Sequence, residues 1–263
     1  MIRALFSAAT GMIGQQMNID TIANNLANVN TTGFKKSRVN FQDLLYETIR
    51  PAGTETVEGS TIPEGIQIGH GVRPASVAKI FTPGGFVNTA KPLDLAIEGD
   101  GFFQVDLPDG STAYTRDGSF RVDQNGNVVT VDGYMLSPGI TVPTEASGNV
   151  NVGSDGVVSA YVPGTGWQNL GTLELVRFPN PSGLDARLGR NLLLETEASG
   201  APETGQPGID GLGTIAAGFL ENSNVQVVEE ILHLIIAQRA YEASSKVIQA
   251  SDEMLQLANN VRR

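Results

Sequence analysis

Apolar residues near the start of the chain recur at alternating steps of three and four. Ile2, Leu5, Ala9, Met12, Ile19, Ala23 and Leu26 follow this rule, with Gln16 filling the one polar step. A 3.5-residue period keeps one seam facing a partner helix, as in a left-handed coiled coil, so the spacing predicts a helix running to about residue 26. At the other end every seventh residue is large and apolar: Val227, Leu234, Tyr241, Ile248 and Leu255. Three residues after four of these stand Ala237, Ser244, Ser251 and Ala258, a stripe of small side chains that would let another helix approach closely. Ser223 with Gln226 reads as a capping box. Acids at 229 and 230 and bases at 262 and 263 suit the dipole of a helix over roughly 223–261.

Between the two helical ends the period changes. All 13 prolines lie between Pro51 and Pro207, and 28 of the 31 glycines between Gly53 and Gly218. Proline breaks helices and glycine favours turns, so this stretch is predicted to be strands and turns. Asp109-Gly110, Asp117-Gly118, Asn125-Gly126 and Asp132-Gly133 supply the positive φ angles of tight hairpins. Between them, residues 113–115, 120–122 and 128–131 have strand composition, and Asp155-Gly156 continues the style. The expectation is an antiparallel meander. The fold class is therefore α+β: long N- and C-terminal helices paired as a coiled coil, with a central antiparallel β-rich domain.

Charge sharpens the partition. The formal net charge is −11, from 17 basic and 28 acidic side chains. Residues 1–50 carry 5 basic against 3 acidic groups and residues 221–263 carry 4 against 6, so the excess of acid belongs to residues 51–220, with 8 against 19. An acidic surface disfavours nucleic acid and anionic membranes as partners. No stretch approaches the roughly 18 apolar residues that span a bilayer. Zero cysteines exclude disulfides, thiolate metal sites and thiol nucleophiles, and two histidines leave little for a histidine metal centre. Arg3 before a short apolar stretch could open a signal peptide. The helical repeat, however, runs on unbroken through Gln15, Gln16, Asn18 and Asp20, so no cleaved leader is expected.

Candidate chemistry does not change the picture. Asp94, Glu98 and Asp100 cluster as glycoside hydrolysis would require. Strand alternation instead assigns them to a solvated face opposite Leu93, Leu95 and Ile97. Gly208, Gly211 and Gly213 have neither dinucleotide nor P-loop spacing. The acid–glycine repeats lack the nine-residue period of a calcium β-roll, and no serine sits in a nucleophile elbow. No catalytic residue, cofactor or metal is expected.

Three strings then become informative. NIDTIANNLANVNTTGFKK (18–36), PLDLAIEGDGFF (92–103) and the run from Gly218 to Glu230, continued by QRAYE (238–242) and Met254-Leu255, resemble the N-terminal, internal and C-terminal motifs of the bacterial flagellar rod and hook family. The length and the loop GSTIPEGIQIGHGVRP (59–74) are most similar to subunits of the distal rod, with the proximal rod next, whereas hook proteins usually carry larger added β domains. The resemblance implies a terminal helical domain (1–30 with 222–263), a connecting segment (31–74 with 205–221) and a β-rich outer domain (75–204). It implies a structural subunit, exported unfolded by the flagellar export apparatus and polymerised with itself in the periplasmic basal body into a hollow drive shaft. Its partners would be proximal-rod subunits, hook subunits and the surrounding rings. Subunit packing would fall to Leu5, Met12, Ile19, Leu26, Val227, Leu234, Tyr241, Ile248 and Leu255. Bridging between subunits would fall to Thr61, Ile62, Pro63, Gly65, Ile66, Gly69 and Gly71. The acidic middle would then face outward as a sleeve that discourages sticking. The rivals from other classes are a β-rich adhesin with coiled-coil ends and a carbohydrate-active enzyme using Asp94, Glu98 or Asp100.

Overall fold

The computed structural model describes residues 2–53, 55–57, 60–61, 63–143, 146 and 150–261. The chain divides into two compact units, one of residues 1–27, 37–79 and 226–263, the other of residues 28–36 and 80–225. The fold is α+β.

In the first unit, helix α1 (Ile2–Ala27) packs against helix α2 (Val227–Val261). The chain is then carried through a long antiparallel hairpin. Ser37–Asp43 pairs with Val72–Lys79, Tyr46–Arg50 with Ile66–Gly69, and Glu55–Val57 with Ser60–Thr61. The root of this hairpin lies against α1. A Cβ at Gly14 would stand 3.1 Å from the Phe41 ring. Gly71 adopts φ +113°, and a Cβ there would run into the Thr10 hydroxyl, which accepts the Val72 N–H at 3.4 Å, so the position requires glycine.

α2 begins four residues later than the capping-box reading placed it. The Ser223 hydroxyl accepts from Val225 N–H at 3.3 Å rather than from Gln226, and residues 223–225 belong to the second unit. The first intrahelical bond runs from Glu230 N–H to the Gln226 carbonyl at 3.0 Å. Glu229 and Glu230 lie in the first turn as expected, while Arg262 and Arg263 fall outside the described residues.

The second unit is built on the strand Phe102–Asp106, which pairs with Thr112–Thr115, Met135–Ser137 and Leu175–Arg177. Alternation turns Phe102 and Phe103 to opposite faces, and each face carries its own core. Phe103, Val105, Leu136, Val142 and Leu175 lie in the larger cluster. Phe102 packs edge-to-face on Phe178, beside Tyr114, Val176 and Leu193, in the smaller one. The turns at Asp109-Gly110, Asn125-Gly126 and Asp132-Gly133 join neighbouring strands, each with its glycine at positive φ. Asp117-Gly118 does not. Thr112–Thr115 turns instead to Leu192–Leu193, because the Asp117 carboxylate accepts Ser119 N–H at 3.0 Å and the Gly118 carbonyl accepts Leu95 N–H at 3.0 Å. The meander is interrupted there. Among the described residues, no helix is long and apolar enough to cross a membrane.

Candidate assembly surfaces

Each helix buries one stripe inside its own unit. On α1 this is Ala8, Gly14, Ile22 and Asn25, and on α2 it is Glu230, Ala237 and Ser251, with Leu234, Ser244 and Ile248 half-buried. Small side chains lie at the centre of the buried stripe. Ala237 is 1% exposed, and a Cβ at Gly11 would stand 3.4 Å from the Ser244 hydroxyl. A seven-residue repeat cannot by itself say whether its large or its small members face the partner. Here the small ones do.

The opposite faces are apolar as well, and open. On α2, Val228, Ile231, Leu232, Ile235 and Ile236 are exposed, Val228 at 82%. At about 100° per residue they lie some 180° around the helix from the buried stripe. On α1, exposed Ile2, Phe6, Ile13 and Met17 likewise fall opposite the buried residues. A helix apolar on both sides is one that ends up buried on both sides. Leu5, Met12, Ile19 and Leu26 are half-buried at the border between the two faces of α1, and Val227, Tyr241 and Leu255 are exposed. Ala9, Met12, Ile13, Gln16 and Met17 meet Tyr241 in an apolar groove of about 550 Å³.

The hairpin is open in the same way. Leu45, Tyr46, Ile49, Ile66 and Ile68 are all exposed. Pro63 and Gly65 lie exposed just before its returning strand and Ile66 lies exposed at the start of it, and Gly69 and Gly71 are half-buried toward its root. The Thr61 backbone pairs with Glu55, and Ile62 lies outside the described residues. Gly65 is required where the strands approach, since a Cβ would come within 2.7 Å of the Arg50 carbonyl oxygen.

Two buried polar fasteners escaped the reading of the sequence. In the first unit, the Asn25 amide donates to the Ser37 carbonyl at 2.9 Å and to Glu230 at 3.2 Å, and accepts Ser37 N–H at 2.9 Å. In the second, Glu221 accepts Lys35 Nζ at 2.6 Å, Gly84 N–H at 2.9 Å and Arg116 Nη1 at 3.4 Å. Its side chain is fully buried and those of Lys35 and Arg116 nearly so. Burial lowers the Lys35 pKa, partly offset by the Glu221 carboxylate. Arg116 is shifted down for the same reason, with the same offset. Gly33 fits beneath with φ +68°, where a Cβ would meet the Arg116 carbonyl carbon at 2.7 Å. The signal in the sequence was slight: a charge directly after an apolar side chain, Lys35 after Phe34 and Glu221 after Leu220.

The acids weighed for catalysis do not form a constellation. Asp94 is buried rather than solvated, because Leu95, Ala96 and Ile97 after it are buried on both faces of their strand, while Glu98 and Asp100 are exposed. Among the described residues no group of acids and histidines could hold a metal ion.

Comparison with known proteins fits this distribution. Residues 5–35 match the family model described as "Flagella basal body rod protein", residues 96–160 "Flagellar hook protein FlgE/F/G D1 domain", and residues 216–261 "Flagellar basal body rod FlgEFG protein C-terminal". The chain is 49% identical to the flagellar basal-body rod protein FlgG of Borreliella burgdorferi over all of both chains. It is 51% identical to FlgG of Buchnera aphidicola subsp. Acyrthosiphon pisum, over 97% of this chain and 98% of that one. The flagellar hook protein FlgE of Helicobacter mustelae is 44% identical over only 52% of this chain and 30% of its own. Matched by rod proteins along its whole length and by family models at both helices and the central strands, the chain belongs to the flagellar basal-body rod family.

Proposed function

We propose that the chain polymerises as the subunit of the distal rod, a rigid, straight, hollow shaft that carries torque from the motor to the hook. The observation that carries this reading is the pair of helices with a second apolar face opposite the one each buries inside its unit. Those faces, with Leu5, Met12, Ile19, Leu26, Val227, Leu234, Tyr241, Ile248 and Leu255, are where copies meet, and the helices run together as a coiled coil. The contacts are heterologous and do not close, which is the geometry of a helical tube. A two-stranded hairpin open on both faces is marginal in water alone, so residues 46–74 bridge to neighbouring subunits, with Thr61, Ile62, Pro63, Gly65, Ile66, Gly69 and Gly71 at the bridge.

The terminal helical domain (1–30 with 222–263) lines the channel, 31–74 with 205–221 connects, and 75–204 faces outward as an acidic sleeve. The subunit sits in the periplasmic part of the basal body, reached by unfolded export. It meets proximal-rod subunits, hook subunits and the surrounding rings. It has no enzymatic role and no cofactor.

The test has two arms, both read by electron microscopy of basal bodies. Val228→Asp or Leu232→Asp, on the open face of α2, should abolish rods, and normal rods with normal swimming would overturn the packing assignment. Deleting the gene should leave basal bodies that stop at the proximal rod. Basal bodies ending earlier would assign the chain to the proximal segment instead.

A further inference from the structure

Three stretches of chain join the second unit to the rest of the polypeptide: residues 28–36, the stretch from residue 80, and the stretch ending at residue 225. Glu221 and Asn224 touch both of the others. The Glu221 carboxylate holds Lys35 at 2.6 Å and Gly84 N–H at 2.9 Å, and its backbone carbonyl accepts Gly33 N–H at 2.8 Å. The Asn224 side chain accepts Lys36 N–H at 2.8 Å and donates to the Ile80 and Thr82 carbonyls at 2.8 and 3.1 Å. Lys35 completes the circuit by donating to the Thr82 carbonyl at 2.8 Å. Arg116 ties it to the central sheet, bonding the Gly99 carbonyl at 2.8 Å with its guanidinium 5.4 Å from the centre of the Phe102 ring.

We infer that Glu221 is a positioning residue, the centre of a polar collar that locks the three connecting stretches into one mechanical element. A buried ion pair is a poor source of net stability, since well-packed apolar residues often serve as well or better. Directional hydrogen bonds to three separate stretches provide something an apolar contact does not, a single register in which none can slide past another. That property matters for a subunit under torsion, so the functional side of the inference rests on the rod reading above.

Hydrogen exchange on the purified full-length chain tests it. Glu221→Gln keeps the shape and an acceptor for Gly84 but removes the charge. The amides of Gly33, Ile80, Gly84 and Asn222, one or more in each stretch, should then exchange faster together, by about tenfold. Those of Leu107 and Val128, bonded within the β domain, should be unchanged. Acceleration at Gly84 alone would overturn the collar. If Glu221→Gln does not fold, Lys35→Met alters only the first stretch and should still accelerate Ile80, Gly84 and Asn222. A change confined to Gly33 overturns the inference. Exchange reads the collar in the free subunit and rod counts in cells read polymerisation, so either can fail while the other stands.

Discussion

The two units use their apolar residues in different ways. In the β unit, Phe103, Val105, Leu136 and Leu175 are sealed into one cluster and Phe102, Tyr114 and Phe178 into another. In the helical unit the buried stripe of α2 includes the small residues Ala237 and Ser251, with Gly11 of α1 beside Ser244, while Phe6, Ile13, Val228, Leu232 and Ile236 are exposed. The β unit seals most of its large apolar side chains into those two cores, with Val131, Trp167 and Ile209 left exposed. The other holds itself together through small residues and polar pins and leaves many of its large side chains exposed. A large exposed apolar face marks an interaction site. On the rod reading proposed above, the difference separates the part that shapes the subunit from the part that assembles it.

Substitutions can break this contrast at graded cost. The largest effect should come from Phe103→Ala, which empties the centre of the β core and should cost about 3–5 kcal/mol in urea unfolding. A loss below about 1 kcal/mol would mean that this core is not the source of the unit's stability. Ala237→Leu should come next. It pushes three extra carbons into the helix contact and should lower stability by about 1–3 kcal/mol, read by the loss of helical circular dichroism. A neutral or stabilised variant would show that α2 does not meet α1 along its small stripe.

How much of this was legible follows from the same contrast. Both helices and their approximate ends could be read, because a 3.5-residue repeat persists whichever face is buried. The small stripe was legible as the side on which another helix approaches, but not that Val227, Tyr241 and Leu255 would stay exposed, because large and small stripes share that period. Three of the four paired turn signals were read correctly. Asp117-Gly118 misled because the Asp117 side chain serves Ser119 locally and the strand before it finds a distant partner in Leu192–Leu193. The start of α2 was misplaced because Ser223 and Asn224 are engaged in the β unit and cannot cap a helix. The hairpin at 37–79 was not read, although Val39 and Phe41 alternate with Arg38, Asn40 and Gln42, because no Asn-Gly or Asp-Gly dipeptide marks a turn within it. The collar was invisible for a plainer reason: Lys35 and Glu221 lie 186 positions apart.

The smallest stability effect separates packing from charge. Arg3 and Glu47 pair at 2.6 Å on the surface of the helical unit, both close to half exposed. Arg3→Ala should shift unfolding by less than about 1 kcal/mol, and less still in high salt. A larger loss would make the hairpin's hold on α1 electrostatic rather than steric.

The central claim is that the outward face of α2 exists for other copies and not for its own fold. The direct measurement is the triple change Val228→Ser, Leu232→Ser, Ile236→Ser, followed in parallel by urea unfolding of the purified chain and by electron microscopy of basal bodies from cells carrying it. The account predicts a monomer within about 1.5 kcal/mol of the parent, from roughly 0.5 kcal/mol at each exposed site, and basal bodies without a distal rod. Rods in normal number and length on such a surface would contradict it.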